Sequence, residues 1–223
     1  MIGFGNSIQK VPPRMHPLPG MAAWFRWGVG ITSSGGAVSQ WNDQSGNARH
    51  LIQATGTNQP ALQADNSILF DGADNFLQCV AFTLNQPTTI YLLAKQVTSL
   101  GNDRFCDGNA ANSGSVRQGT SPNITLHAGI VAATNGNLAL DTWGVISAIF
   151  NGASSELQVN RTTAATGDAG AGNMGGLTLG ASGGEALFGN VQIKELILYA
   201  SAHSAAQKLQ CLTYLAALGA VVI

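Results

Sequence analysis

Charged side chains are scarce in this chain: Asp, Glu, Lys and Arg make up 9% of its 223 residues, against about 25% in an ordinary soluble domain. The ten Lys and Arg nearly balance the eleven Asp and Glu and form no basic run. The counterion release that drives polyphosphate binding therefore has no source, and nucleic acid is not expected as a partner. No run of apolar residues is long enough for a membrane-spanning helix, and Met1 to Lys10 lacks a basic stretch followed by an apolar run of secretory length. Synthesis in a cytoplasm, with no signal peptide and no membrane partner, is expected.

Cysteine is limited to Cys79, Cys106 and Cys211. An odd number at wide spacing fits neither a disulfide framework nor a zinc site, so buried free thiols are expected. His16, His50, His127 and His203 stand alone, without the spacing of a metal-binding pair, and no metal or cofactor is expected. The glutamates Glu156, Glu185 and Glu195 are far apart, so the close carboxylate pair of glycoside hydrolysis is not visible, and absence of catalysis is the expectation.

With so little charge, the surface must consist mainly of Asn, Gln, Ser, Thr and Gly. Amides and hydroxyls suit glycans or another protein, and 28 glycines imply frequent turns. No linker divides the chain into two apolar halves, so residues 21–223 read as one domain. Before it, residues 1–20 carry Val11-Pro12-Pro13, His16-Pro17 and Pro19-Gly20, which predicts an extended arm unable to enter a sheet interior.

The most ordered signal lies near the end of the chain. From Val191 to Tyr199 apolar residues alternate, which would place Val191, Ile193, Ile197 and Tyr199 on one face and Leu196 and Leu198 on the other. Ser204 followed by Gln207 forms the sequence of a capping box, Leu209, Leu212, Leu215 and Ala216 recur at helical spacing, and Gly219 supplies a stop. A helix over about 203–218 should pack back on the strand. Upstream, Thr88 to Ala94 is apolar on both faces and predicts a central strand, and Trp143 to Phe150 with Leu157 to Asn160 predicts a hairpin. Short strands are expected at Ala22–Trp27, at Ile124–Ala128 and at Asn137–Leu140, with a polar loop over Leu100–Arg117.

Two motifs bracket this region. Trp41-Asn42-Asp43-Gln44-Ser45-Gly46, followed by Gln59-Pro60 and by Phe70-Asp71-Gly72-Ala73-Asp74-Asn75-Phe76-Leu77, opens it. Phe188-Gly189-Asn190-Val191-Gln192-Ile193-Lys194-Glu195-Leu196 through Tyr199 closes it. Together they resemble the LamG-like, concanavalin A-like jelly-roll domains. The resemblance implies an all-β, two-sheet antiparallel jelly-roll sandwich with a short C-terminal helix. Asp43, Ser45 and Asp71 read as turn-forming acceptors; the alternative reading gives Asp43, Asp71 and Asp74 a calcium ion.

A lectin-like sandwich with an apolar end at Val221, Val222 and Ile223 also resembles accessory proteins of tailed-phage particles. That resemblance implies a non-enzymatic virion structural protein, a capsid decoration or minor head protein whose partners are copies of itself, in a closed assembly such as a trimer, and the major capsid protein. Ile2, Phe4, Ile8, Val11, Met15 and Leu18 with Val221, Val222 and Ile223 are the expected contacts, since soluble monomers rarely leave such a patch in water. Two alternatives stand beside it: a tail or fibre receptor-binding domain for cell-surface glycan, and a bacterial carbohydrate-binding module. Candidate glycan contacts are Trp27, beside Arg26 and a glycine turn, and the polar residues Asn102, Asp103, Arg104 and Asp107.

Overall fold

The computed structural model describes residues 17–110, 113–135 and 138–223. Its elements, in chain order, are β1 (Ala23–Phe25), β2 (Ile31–Ser34), β3 (Ala37–Trp41), β4 (Leu51–Ile52), β5 (Ala61–Leu62), β6 (Ile68–Asp71), β7 (Leu77–Gln78), β8 (Thr88–Gln96) and β9 (Arg104–Asp107). They continue with β10 (Ser115–Gln118), β11 (Ile124–His127), β12 (Val131–Asn135), β13 (Gly144–Phe150), β14 (Ser155–Val159), β15 (Ala165–Gly167), β16 (Thr178–Leu179), β17 (Asn190–Tyr199) and the helix α1 (Ala205–Gly219). Every strand pairing is antiparallel.

β8 lies between β17 and β13, and β14 and β15 extend that run on the far side. β1 and β6 flank the two halves of β17. A second run goes β12–β11–β10–β9–β16–β7–β4–β3–β2, and β5 pairs with both β3 and β6, so the two runs form one continuous ladder. The main core lies between them. Ile90, Leu92, Ile146, Ala148, Phe150, Leu196 and Leu198 from the first run meet Val38, Trp41, Leu77, Phe105, Val116 and Leu126 from the second in one buried cluster. This is the all-β antiparallel sandwich expected from the sequence, with its C-terminal helix on the outer face of the first run.

The helix covers a second cluster. Tyr91, Leu93, Val145, Ile197 and Tyr199 point away from the main core and are covered by Cys211, Leu212, Tyr214, Leu215 and Ala216. Ser204 accepts a bond from the Gln207 backbone N–H while the Gln207 side chain accepts one from the Ser204 backbone, completing the expected capping box. The helix stops one residue later than expected. Ala220, not Gly219, takes the left-handed backbone, with φ 52°. Gly219 is needed for a different reason: a Cβ there would lie 2.5 Å from Leu93 Cδ1.

Two irregularities in the ladder depart from the regular alternation. In β17 the register with β8 shifts between Ile193 and Glu195, leaving Lys194 as an extra residue. A bulge reverses which face follows, so Val191 and Ile193 share the core face with Leu196 and Leu198. Ile197 and Tyr199 face the helix instead. In the β9–β10 pair, Val116 opposes Cys106 and Arg117 opposes Arg104, so Phe105 is the extra residue. The expected polar loop at Leu100–Arg117 therefore contains one strand and most of another, both buried. The short strand expected at Asn137–Leu140 is absent from Leu138 to Leu140, and β12 is the partner of β11 instead. Cys79, Cys106 and Cys211 are free and buried.

Candidate functional site

The bulge at Phe105 decides what β9 displays. With strict alternation Arg104 and Asp107 would point to opposite faces, whereas the extra residue brings them to the same one, where Arg104 Nε lies 3.4 Å from an Asp107 carboxylate oxygen. Both side chains are fully buried. Arg117 opposes Arg104 on one side and Thr125 on the other, and Ser115 opposes His127 two residues along. Ser115, Arg117, Thr125 and His127 therefore join Arg104 and Asp107 on a polar outer face, while Val116 and Leu126 enter the core.

Above this face the chain leaves an opening of about 320 Å³, lined by Gly101, Asn102, Arg117, Gly119, Thr120, Asn123 and Thr125. Its rim is the loop before β9 and the turn between β10 and β11. Both are fixed by backbone bonds, from Asn102 N–H to Gln118 O at 2.7 Å, Gly119 N–H to Asn123 O at 2.8 Å and Asn123 N–H to Thr120 O at 2.9 Å. Arg117 forms part of the floor. It is 7% exposed, and its Nε donates to Thr125 Oγ1 at 3.3 Å.

Burial and crowding set the electrostatics. The Arg117 guanidinium is lowered to about 10, by desolvation first and by the neighbouring Arg104 second, with Asp107 opposing. Burial and the same two arginines hold the His127 imidazole below its ordinary value. The Asp103 carboxyl is raised by burial, with Arg104 opposing. Arg104 pairs directly with the buried Asp107 carboxylate, and Arg117 feels that carboxylate only as a weaker attraction behind desolvation and Arg104.

Of the residues expected to contact glycan, Asn102 lines this opening, while Arg104 and Asp107 are buried beneath the same polar face. Asp103 is tied to it through its carbonyl, which accepts from the Gln118 N–H at 2.7 Å. Trp27 lies elsewhere. Its indole N–H donates to the Asp65 carbonyl at 2.6 Å, and Lys194 Nζ sits 4.6 Å from the Trp27 ring and 4.0 Å from that of Trp143, so a lysine already stacks on both rings. Sequence reasoning missed Arg117, Thr120, Asn123 and Thr125. Their signal is the matched alternation of Ser115-Val116-Arg117-Gln118 and Ile124-Thr125-Leu126-His127 about a Ser-Pro-Asn turn, which marks a hairpin with one polar face.

The acidic residues of the opening motif are engaged within the chain. Asp43 accepts from the backbone N–H groups of Trp24 at 2.9 Å, Ser45 at 2.8 Å and Arg49 at 3.1 Å, and Asp71 accepts from that of Ala73 at 2.9 Å. Glu195 is likewise enclosed: one oxygen accepts from Trp24 Nε1 and Tyr214 Oη, each at 2.7 Å, and the other from the Trp27 N–H at 3.3 Å. Residues 1–16, and with them Ile2, Phe4, Ile8, Val11 and Met15, lie outside the described residues. Leu18, Val221 and Ile223 pack against the helix cluster, and Val222 is 93% exposed.

No protein-family model and no curated protein sequence matches the chain. Solved structures do share its fold. The Trypanosoma rangeli sialidase in complex with sialic acid aligns with a TM-score of 0.66 at 11% identity, over 90% of this chain and 33% of the sialidase. A mutant of that sialidase displaying trans-sialidase activity aligns at 0.64 and 11% identity, over 92% of this chain and 34% of its own. A GH54 α-L-arabinofuranosidase soaked with a cyclic sulfate inhibitor aligns at 0.64 and 13% identity, over 81% of this chain and 51% of that enzyme. This chain therefore spans about a third of the sialidase and about half of the arabinofuranosidase. These β-sandwich neighbours fit the concanavalin A-like architecture at the level of the fold. They also correct one expectation. Absence of enzymatic activity was inferred from the missing glutamate pair, yet chains sharing this fold are glycosidases, so that inference does not stand.

Proposed function

We propose that this chain is a carbohydrate-recognition sandwich whose binding site is the opening between Gly101 and Thr125. The observation that carries the proposal is the lining itself: two asparagine-type amides, two threonine hydroxyls, glycine backbone and one guanidinium, with no large apolar side chain. Such groups donate to and accept from sugar hydroxyls, and the volume lies within the usual range of about 300–1,000 Å³ for small-molecule sites. The fold shared with a sialidase and an arabinofuranosidase supports the same direction. A second opening, lined by Asn47, Ala48, Arg49, His50, Ile52, Val80, Ala81 and Phe82, is more apolar and suits a sugar less well.

Among the settings expected from the sequence, a glycan-recognising tail or fibre domain of a phage particle fits this site. A head-decoration role draws on the N-terminal arm, most of which lies outside the described residues. Screening the full chain and its Asn123→Ala and Thr120→Val variants on a glycan array tests the proposal. The wild type should bind a related set of saccharides, and each variant should weaken that set about tenfold, the loss of roughly one hydrogen bond. Absence of binding across the array, or binding indifferent to both substitutions, would refute it.

A further inference from the structure

Arg117 sets this opening apart from one suited to neutral sugars alone. Its side chain is held at two points: the strand fixes its origin opposite Arg104 and Thr125, and the bond from Nε to Thr125 Oγ1 tethers its guanidinium. The four ion pairs among the described residues are Lys95–Asp141, Arg104–Asp107, Lys194–Asp65 and Lys208–Glu156, and none includes Arg117. An arginine 93% removed from water with no carboxylate in ion-pair reach, attracted by Asp107 only at longer range, is costly, because a buried cation is fully compensated only when an anion pairs with it and its donors are bonded. The one buried carboxylate nearby is engaged with Arg104. With Nε bonded to Thr125, the two terminal nitrogens of this lining residue remain as a planar fork, the geometry that binds a carboxylate through two parallel N–H bonds.

We propose that the ligand of this site is an acidic saccharide whose carboxylate pairs with Arg117, while Asn102, Thr120 and Asn123 bind its hydroxyls. This rests on the carbohydrate-binding reading and narrows it. A sugar carboxylate supplies the missing negative charge and its ring reaches the amide and hydroxyl rim, whereas a simple anion would use only the floor.

Calorimetric titration of the full chain tests it, with glucuronic acid, galacturonic acid and N-acetylneuraminic acid as probes. Each acid is compared with its methyl ester, and sodium acetate serves as the free-anion control. At least one acid should bind more than tenfold tighter than its ester, and acetate should not compete at equal concentration. Arg117→Gln should abolish the preference, and Arg117→Lys, which keeps the charge but loses the fork, should lose most of it. The ester comparison needs no variant, so it decides the matter even if Arg117 substitutions unfold the protein. Equal binding of acid and ester overturns the acidic-ligand inference and leaves sugar recognition standing. Acetate competing as well as the acid sugar reduces the site to a simple anion site and overturns it too. If the neutral sugars of the array also fail to bind, the carbohydrate reading itself falls.

Discussion

Replacing Glu195 with alanine should be among the most damaging single substitutions in this chain. The side chain is fully buried, and the bulge at Lys194 aims it at the helix, where it accepts from Trp24 Nε1 and Tyr214 Oη at 2.7 Å each and from the Trp27 backbone at 3.3 Å. Alanine leaves the indole N–H and the phenol O–H without an acceptor, at about 1–3 kcal/mol for each buried donor, so about 4 kcal/mol in all. For a chain of this length that lowers the melting temperature by roughly 10 °C. Thermal unfolding followed by circular dichroism measures it. In a double-mutant cycle, Tyr214→Phe added to Glu195→Ala should cost less than the sum of the two, because it removes one of the orphaned donors. A melting temperature within about 2 °C of wild type, or strict additivity of the pair, would refute the reasoning.

Glu195 also carries a pH signature. Burial raises its carboxyl above the ordinary value of 4.5, against the opposing bonds from Tyr214, Trp24 and Trp27. The folded state therefore holds the proton more tightly than the unfolded one. The resulting stability is fully present below the unfolded value and lost as pH rises through the folded one. Glu195→Gln has no such step, so the stability of wild type minus that of Glu195→Gln should fall as pH rises from acid to neutral; a difference that is constant or grows would contradict the assignment.

Two backbone predictions follow from left-handed positions. Ala220→Gly should raise stability by about 0.5–1 kcal/mol, because Ala220 ends the helix at φ 52°, a conformation costing a side-chain-bearing residue roughly 1–2 kcal/mol, part of which returns as unfolded-state entropy; chemical denaturation would read it as a higher midpoint at unchanged slope. Gly180→Ala should do the reverse and more, since Gly180 combines φ 75° with a Cβ position 2.1 Å from the fully buried Phe70 ring, so a loss above about 3 kcal/mol is expected in the same assay.

What the sequence made legible were the parts in which local pattern and tertiary role agree. The turn-forming acceptors Asp43, Ser45 and Asp71 of the opening motif, the doubly apolar β8 and the capping box at Ser204 each carry their own signal, and each forms as expected. The parts that escaped depend on one extra residue in a ladder. Nothing in Ile193-Lys194-Glu195 or Arg104-Phe105-Cys106 announces a bulge, because the register shift is set by the partner strand. Yet one bulge turns Glu195 to the helix and the other turns Asp107 to Arg104. The candidate site was half legible for the same reason. Its polar composition marked Asn102 to Asp107, but only cross-strand register brings Arg117 and Thr125 beside them.

The central claim, recognition of a saccharide at the Gly101–Thr125 opening, is tested most directly by mapping amide chemical shifts of the isotope-labelled chain during titration with an array-selected sugar. The account predicts that the perturbed amides cluster at 101–103 and 117–125, and that those around Trp27 and around the Ile52, Val80 and Phe82 opening stay still. Shifts concentrated at either of those other places, or no saturable shift at all, would contradict it.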